Sequence, residues 1–361
     1  MGPGDKWLAD NYPDHGYRIY AASGSTLIYE LLRNSIRQIC ILPAFTCHSL
    51  SFAVLASGKQ LIHVDVEKGS FFCSKNRLMN LIDRVGEQNV IVLVDHVFGY
   101  VCPWMEEIKV AFPKALLIED CVRALGAKIG SRHVGSVGDF ALLSLYKTIP
   151  GNDHGAVLLT RKPIPISLDG YNKCQLKSRL YGFPVVRKIY SLIKRRRVIR
   201  FKPQDTLSLR SSWKPDHRLP DSHVANRFDR HIRQLQVTIE KSDEARAHLA
   251  AGMTAIEGLE LIAVAPGTHP GPYFLSALIG DGYDANAIVS TLHSKGVFLL
   301  RTWDVLPIHF HELKDTFEQW PVESLALSKR IVHISLPDYY HQKRRDALLG
   351  HLQKAVRASR Q

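Results

Sequence analysis

No stretch of this 361-residue chain approaches the ~20 uninterrupted apolar residues that a membrane-spanning helix requires. The opening MGPGDKWLADNYPDHG has no apolar core of a secretory signal, and Lys6 stands where a myristoylation motif needs Ser or Thr. A cytoplasmic location is therefore expected. The six cysteines (Cys40, Cys47, Cys73, Cys102, Cys121, Cys174) form no C-x-x-C pair and read as thiols in a reducing compartment. The 17 histidines include no H-E-x-x-H or comparable ligand set, so no metal is expected. G-x-G-x-x-G and the Walker pattern are both missing, which leaves dinucleotide and P-loop readings without support. Acidic residues are absent from one region. Between Lys173 and Lys202 lie eleven basic residues and no acid, so most of the formal +13 charge belongs to one segment. No nucleic-acid-binding module accompanies those bases, and nucleic acid is not an expected partner.

The rest is an ordinary globular composition, 45% hydrophobic and 22% charged, long enough for two domains. Its most informative stretch runs from Leu116 to Thr160, LLIEDCVRALGAKIGSRHVGSVGDFALLSLYKTIPGNDHGAVLLT. An apolar run, Ala115 to Ile118, ends on Glu119 and Asp120, as a buried parallel strand does where its C-terminal end meets a site. After a glycine-rich loop, Phe140 to Leu145 delivers Ser144-Leu-Tyr-Lys147 at its end, and Gly155 to Thr160 reads as a third strand. Two strand ends thus present an Asp and a Lys. Those are the parts that pyridoxal 5′-phosphate (PLP) needs: a lysine for a Schiff base and a carboxylate for the pyridinium nitrogen.

Upstream, Ser23-Gly24-Ser25-Thr26 precedes apolar residues at 27, 28, 31 and 32, which predicts a capped amphipathic helix. Its N-terminal amides and hydroxyls suit a phosphate. Strands are expected at Ile39–Leu42, Gln60–Val66 and through the run after Asn89, with helices at Ser49–Ser57 and Ser74–Val85 between them. This alternation indicates α/β architecture with a mostly parallel sheet. Downstream, a helix is expected over Ser222–Ala251. A small α/β domain follows, with strands at Pro272–Ile279 and Gly296–Leu300 and helices at Ala285–Lys295 and Gln342–Ala358.

The blocks E-D-C-V-R-A-L-G-A, G-S-V-G-D, S-L-Y-K and H-G-A-V, in that order, resemble the DegT-type (DegT/StrS) sugar-nucleotide aminotransferases, and similar blocks recur over roughly residues 20 to 340. The resemblance implies a PLP-dependent enzyme of fold type I, the aspartate aminotransferase fold. It has a large PLP-binding domain (1–235) and a linking helix with a small C-terminal domain (236–361). It implies Lys147 as Schiff-base lysine and acid–base group, and Asp120 as partner of the ring nitrogen. Gly24, Ser25, Thr26 and Ser144 fall at the phosphate. Pro43-Ala-Phe45-Thr-Cys47-His48 resembles a P-A-Y-T-F block whose last aromatic stacks on the ring. Cys47 stands in that place, leaving Phe45 and His48 as candidates for the role. Arg123 occupies the place of a family Gln near the ring's phenolic oxygen. Asp216-His-Arg218 resembles N-Y-R, whose Asn and Arg reach the coenzyme phosphate of the neighbouring subunit in a homodimer; only Arg218 matches. His154 stands where the family has Gly.

The implied reaction is amino-group transfer from a glutamate-like donor to a keto-sugar, the expected substrates being nucleotide-linked sugars of cell-surface polysaccharide or secondary metabolism. Two alternatives stay open. One is a PLP-dependent sugar dehydratase. The other is a catalytically altered scaffold that meets an anionic membrane through a basic amphipathic helix at Val185–Arg200, within a contact region 185–202. Trp303, Arg301 and His309 are loose candidates for substrate contacts, and Tyr29 and Phe45 for pocket walls.

Overall fold

A computed structural model describes residues 2–166, 168 and 213–360. The basic segment 173–202, with its expected helix at 185–200, lies outside them. Thirteen strands and ten α-helices are found among the described residues. Seven strands make the principal sheet: β1 (Tyr17–Ala21), β2 (Ile39–Pro43), β3 (Gln60–Val64), β4 (Val90–Asp95), β5 (Leu116–Asp120), β8 (Phe140–Ser144) and β9 (Ala156–Thr160). Two short pieces, β6 (Lys128–Ile129) and β7 (Arg132–His133), pair in the loop between β5 and β8. The sheet order is β1-β9-β8-β5-β4-β2-β3. The pairs β2–β3, β2–β4, β4–β5 and β5–β8 are parallel, while β9 runs against both β1 and β8. This is the α/β fold with a mostly parallel sheet that the alternation predicts.

Side-chain alternation decides what each strand residue touches. In β4, Ile91 and Leu93 pack in one cluster with Leu27, Ile28, Leu31 and Leu32 of α2 (Gly24–Arg33) and Leu50 and Val54 of α3 (His48–Ala56). Val90, Val92 and Val94 pack on the opposite face with α4 (Lys75–Val85) and α5 (Met105–Ala111). The first helix, α1 (Pro3–Asn11), joins a further cluster with β8, β9 and α6 (Ser222–Arg233). Burying a leucine or isoleucine in such a stripe contributes about 2 kcal/mol, so four on α2 hold it firmly to the sheet. A Cβ on Gly24 would come within 3.1 Å of Leu142 on β8, so glycine lets α2 begin close against that strand.

The C-terminal region forms a second layer. α7 (Leu235–Thr254), α8 (Ala285–Ser294) and α10 (Gln342–Ala358) pack with an antiparallel sheet of β10 (Leu259–Leu261), β12 (Phe274–Ile279) and β13 (Ile331–Ser335). α9 (Val322–Arg330) leads into β13, and β11 (Thr268–His269) extends the β6–β7 pair. The long helix expected at 222–251 is two helices, divided at Gln234. The strand expected at 296–300 is a single bridge, Leu300 to His333. Among the described residues no helix is long and apolar enough to cross a membrane.

Candidate active site

The sheet gathers the residues of interest at one edge. Parallel register sets Asp95 of β4 beside Asp120 of β5, and Asp120 beside Leu142 of β8. Ser144 pairs with Ala156 of β9, and Ala156 with Ala21 of β1. Because β9 is antiparallel to both neighbours, β1 and β8 run the same way. The ends of β1, β4, β5 and β8 therefore open on the same side, the usual ligand side of such sheets. Asp95 and Asp120 share the parity of Leu93 and Ile118, so both face the side covered by α2 and α3.

Asp120 is only 2% exposed and accepts from the Val122 N–H at 3.0 Å. Burial pushes its carboxyl up to about 6, against that hydrogen bond and the positive charges of Lys147 and Arg123. Asp95, 5% exposed, is also pushed up, first by burial and then by the charge of Asp120. Its Oδ2 lies 3.4 Å from the Thr46 hydroxyl. Arg123 stacks its guanidinium over Phe98 at 4.6 Å and Phe274 at 5.7 Å, and the charges of Asp95, Cys47, Tyr146 and Asp120 act on it. Phe98 and Trp303, in contact at 5.4 Å, both adopt positive φ, 54° and 60°. For bulky side chains this is strained backbone, concentrated beside Arg123.

Glu119, one residue before Asp120, points to the other face and does different work. It accepts from the N–H groups of Gly135, Val137 and Gly138 at 2.6 to 2.8 Å, and from His96 Nε2 at 2.9 Å. Burial would raise its carboxyl, but His96 and the loop amides hold it below the usual value. His96 Nδ1 accepts from the Cys102 N–H, so its proton sits on Nε2. His96, Glu119 and Cys121 bring ligand-type atoms within 4.8 Å of one another. These hydrogen bonds already occupy the histidine and the glutamate. The cluster clamps the glycine loop to β5.

At the other end of the edge, Ser144 Oγ accepts from the N–H groups of Tyr146 (3.2 Å) and Lys147 (3.0 Å), turning the chain out of β8. Lys147 is exposed, its Nζ 4.8 Å from the centre of the Tyr146 ring. Ser23 makes no side-chain cap; its Oγ meets Ser25 Oγ at 2.9 Å, which leaves the first α2 amides uncapped by it. Thr26 is buried, and its Oγ1 accepts from the Asp216 N–H.

Arg218 O accepts from the Ala22 N–H, so within one chain this segment lies beside its own α2, whereas the resemblance places its arginine at a neighbour's phosphate. The Arg218 guanidinium holds Asp216 in a two-point pair at 2.6 and 2.7 Å. An aspartate here would repel a phosphate, and its own arginine offsets that charge.

Other sequence candidates fall elsewhere. Phe45 is fully enclosed, stacked on Phe71 and edge-on to Trp303, and offers no ring face to a ligand. Cys47 is half-buried at the site, its Sγ 3.0 Å from Ser49 Oγ. His48 packs on Phe310 at 4.8 Å, and burial lowers its pKa. Tyr29 lies against Trp213 and His217. Arg301 donates to the carbonyls of Ser328 and Lys329, and His309 Nδ1 accepts from the Leu306 N–H. Asp95 and Thr46 were not singled out by sequence. The signal for Asp95 was a carboxylate ending an otherwise apolar run.

Comparison with known proteins agrees with this geometry. Residues 10–162 match the sequence model of the DegT/DnrJ/EryC1/StrS aminotransferase family. Protein MosB of Rhizobium meliloti is 30% identical over 154 residues, which are 41% of this chain and 30% of that protein. GDP-perosamine synthase of Escherichia coli O157:H7 is 25% identical over 137 residues, 37% of this chain and 35% of that one. The matched region thus spans about a third of each relative. In fold the likeness extends over nearly the whole chain. The aminotransferase TlmJ of Streptoalloteichus hindustanus superposes with a TM-score of 0.70 at 16% identity, over 99% of this chain and 92% of the other. DesV of S. venezuelae gives 0.71 at 14% identity, over 99% and 90%. Residues 10–162 thus resemble the DegT/DnrJ/EryC1/StrS aminotransferase family in sequence, and nearly the whole chain shares its fold with solved aminotransferases.

Proposed function

We propose that this chain is a PLP-dependent aminotransferase that passes an amino group from a glutamate-like donor to a keto-sugar, nucleotide-linked as the name of GDP-perosamine synthase suggests. The observation that carries the reading is the meeting of Asp120, Ser144, Lys147 and the α2 N-terminus on one sheet edge. The residues fit the coenzyme: a buried carboxylate for a ring nitrogen, an amine at a strand end, and donors at a helix start for a phosphate. When bound, PLP supplies an aldehyde that captures amines and a ring that stabilises charge released at the neighbouring carbon.

This chain does the rest. Asp120 would hold the ring nitrogen through a hydrogen bond and keep a proton there. Lys147 would supply the amine for the aldehyde and move a proton at Nζ. Ser144, whose lone pairs already serve the Tyr146 and Lys147 amides, has its hydroxyl hydrogen left to donate to a phosphate. Gly24, Ser25 and Thr26 add backbone N–H groups. Arg123 would place a cation beside the ring, with Asp95 favouring its charged form against the effect of burial. Exposure of Lys147 and Arg218 supports a homodimer in which a second copy covers this edge. Sedimentation as a monomer would contradict that part. The activity is tested by incubating PLP-loaded protein with glutamate and nucleotide-linked keto-sugars and following 2-oxoglutarate. No product with any keto-sugar, despite bound coenzyme, would remove the sugar assignment.

A further inference from the structure

His154 lies in the turn between the Ser144–Lys147 strand end and β9, and none of the roles above uses it. It is 8% exposed. Its Nδ1 is 2.6 Å from Asp153 Oδ1, and its Nε2 is buried with no hydrogen-bond partner. A buried ring nitrogen without a partner is costly and calls for an explanation.

Its neighbours supply one. Gly155, with φ at 105°, donates its N–H to Ala22 O and accepts from the Leu145 N–H. A side chain there would meet Val224 at 2.9 Å and Leu145 at 3.1 Å, so glycine allows the turn to pack this tightly. His154 therefore adjoins the junction of Ala22-Ser23, which opens α2, with Ser144-Leu145. Asp216 lies within electrostatic reach of this ring, and its N–H is bonded to Thr26 of α2. The groups gathered here are mostly donors: α2 amides and the hydroxyls of Ser23, Ser25 and Ser144. Asp216, the acid among them, is already held by Arg218.

We propose that His154, oriented by Asp153, is a ligand of the coenzyme's phosphate and donates to it through Nε2–H. The proposal rests on the PLP reading above and adds to the helix N-terminus an imidazole that the chain itself leaves without a partner. Asp153 accepts from Nδ1–H, so the neutral ring carries a lone pair on Nε2. A phosphate monoester arriving as its monoanion passes its proton to that nitrogen, giving a bound dianion and an imidazolium that donates back. Charges and protons balance within the pair.

The test titrates coenzyme-free protein with PLP and, separately, with pyridoxal, which lacks the phosphate. Wild type is compared with His154→Ala, His154→Gln and Asp153→Asn, each first checked for folding by thermal melting. Loss of one charge-assisted hydrogen bond predicts PLP binding weaker by about tenfold to a hundredfold in His154→Ala, with pyridoxal binding unchanged. His154→Gln, similar in size and able to donate, should fall between and carries the comparison if the alanine variant does not fold. Equal weakening for PLP and pyridoxal would show a merely structural role, and unchanged PLP binding would overturn the proposal. If wild type binds neither compound, the PLP reading fails. Titration with inorganic phosphate, followed by ³¹P line broadening, then decides: broadening lost in His154→Ala upholds the ligand role, and equal broadening overturns it.

Discussion

At the β5 end of the candidate site, Asp95, Asp120 and Arg123 crowd a buried space and balance one another's charge, while at the β1–β9 end Ser23, Ser25, Ser144 and His154 gather around a helix start that its own N-cap residue leaves uncapped. The first end sets two buried carboxyls beside one guanidinium, which leaves an acceptor for a further cation. The second has donors in excess and waits for an anion. One ligand with a cationic ring nitrogen at one end and a phosphate at the other answers both. The adjacent Glu119 shows the contrast in a single step along a strand, because its oxygens are taken up by the loop amides and His96.

The sharpest way to break this picture is Lys147→Ala. Lys147 is exposed and packs little, so the melting temperature should hardly move, while turnover falls by about a thousandfold or more. Steady-state rates near wild type would remove the edge as the site. Glu119→Ala should do the reverse. Breaking its buried network is expected to cost roughly 3 to 5 kcal/mol of stability, read by denaturant unfolding. A stable Glu119→Ala protein would show that the clamp is unimportant. Asp120→Asn should keep PLP but turn over about a hundredfold more slowly in single-turnover kinetics, since a few kcal/mol of charge stabilisation is lost.

The smallest effect is a pH signature of the first end. Burial raises the folded carboxyl of Asp120 from 3.8 to about 6, so the folded state binds the proton more tightly than the unfolded state. Stability from this group is fully present below about pH 4 and is lost as pH rises through about 6. Asp120→Asn removes the loss. Coenzyme-free variant should be about 2–3 kcal/mol more stable than wild type at pH 8 and no more stable at pH 4. Equal melting curves at pH 8 would mean that the carboxylate is better solvated than its burial implies.

Much of this was legible in the sequence. The apolar runs of β2, β4, β5, β8 and β9 and the stripe on α2 carry their period openly, and Asp120, Ser144 and Lys147 stand at run ends. What escaped depends on register and long-range contact. β1 is five residues, mostly partly exposed, and becomes a strand by pairing with β9, some 140 residues away. Asp95 looked like the tail of an apolar run until parallel register set it against Asp120. Phe45 was placed by motif near the ring, but packing on Phe71 and Trp303 encloses it. The division of labour between Glu119 and Asp120 needed knowledge of which helices cover each face. The unpartnered Nε2 of His154 has no sequence signal at all, because it is defined by what surrounds it.

The central claim is that this edge holds PLP on Lys147. Purified protein incubated with PLP should turn yellow, and borohydride should bleach it while fixing the coenzyme covalently to one peptide. The account predicts that peptide mapping finds the label on Lys147 alone. Protein that takes up no PLP, or carries the label on another lysine, would contradict it.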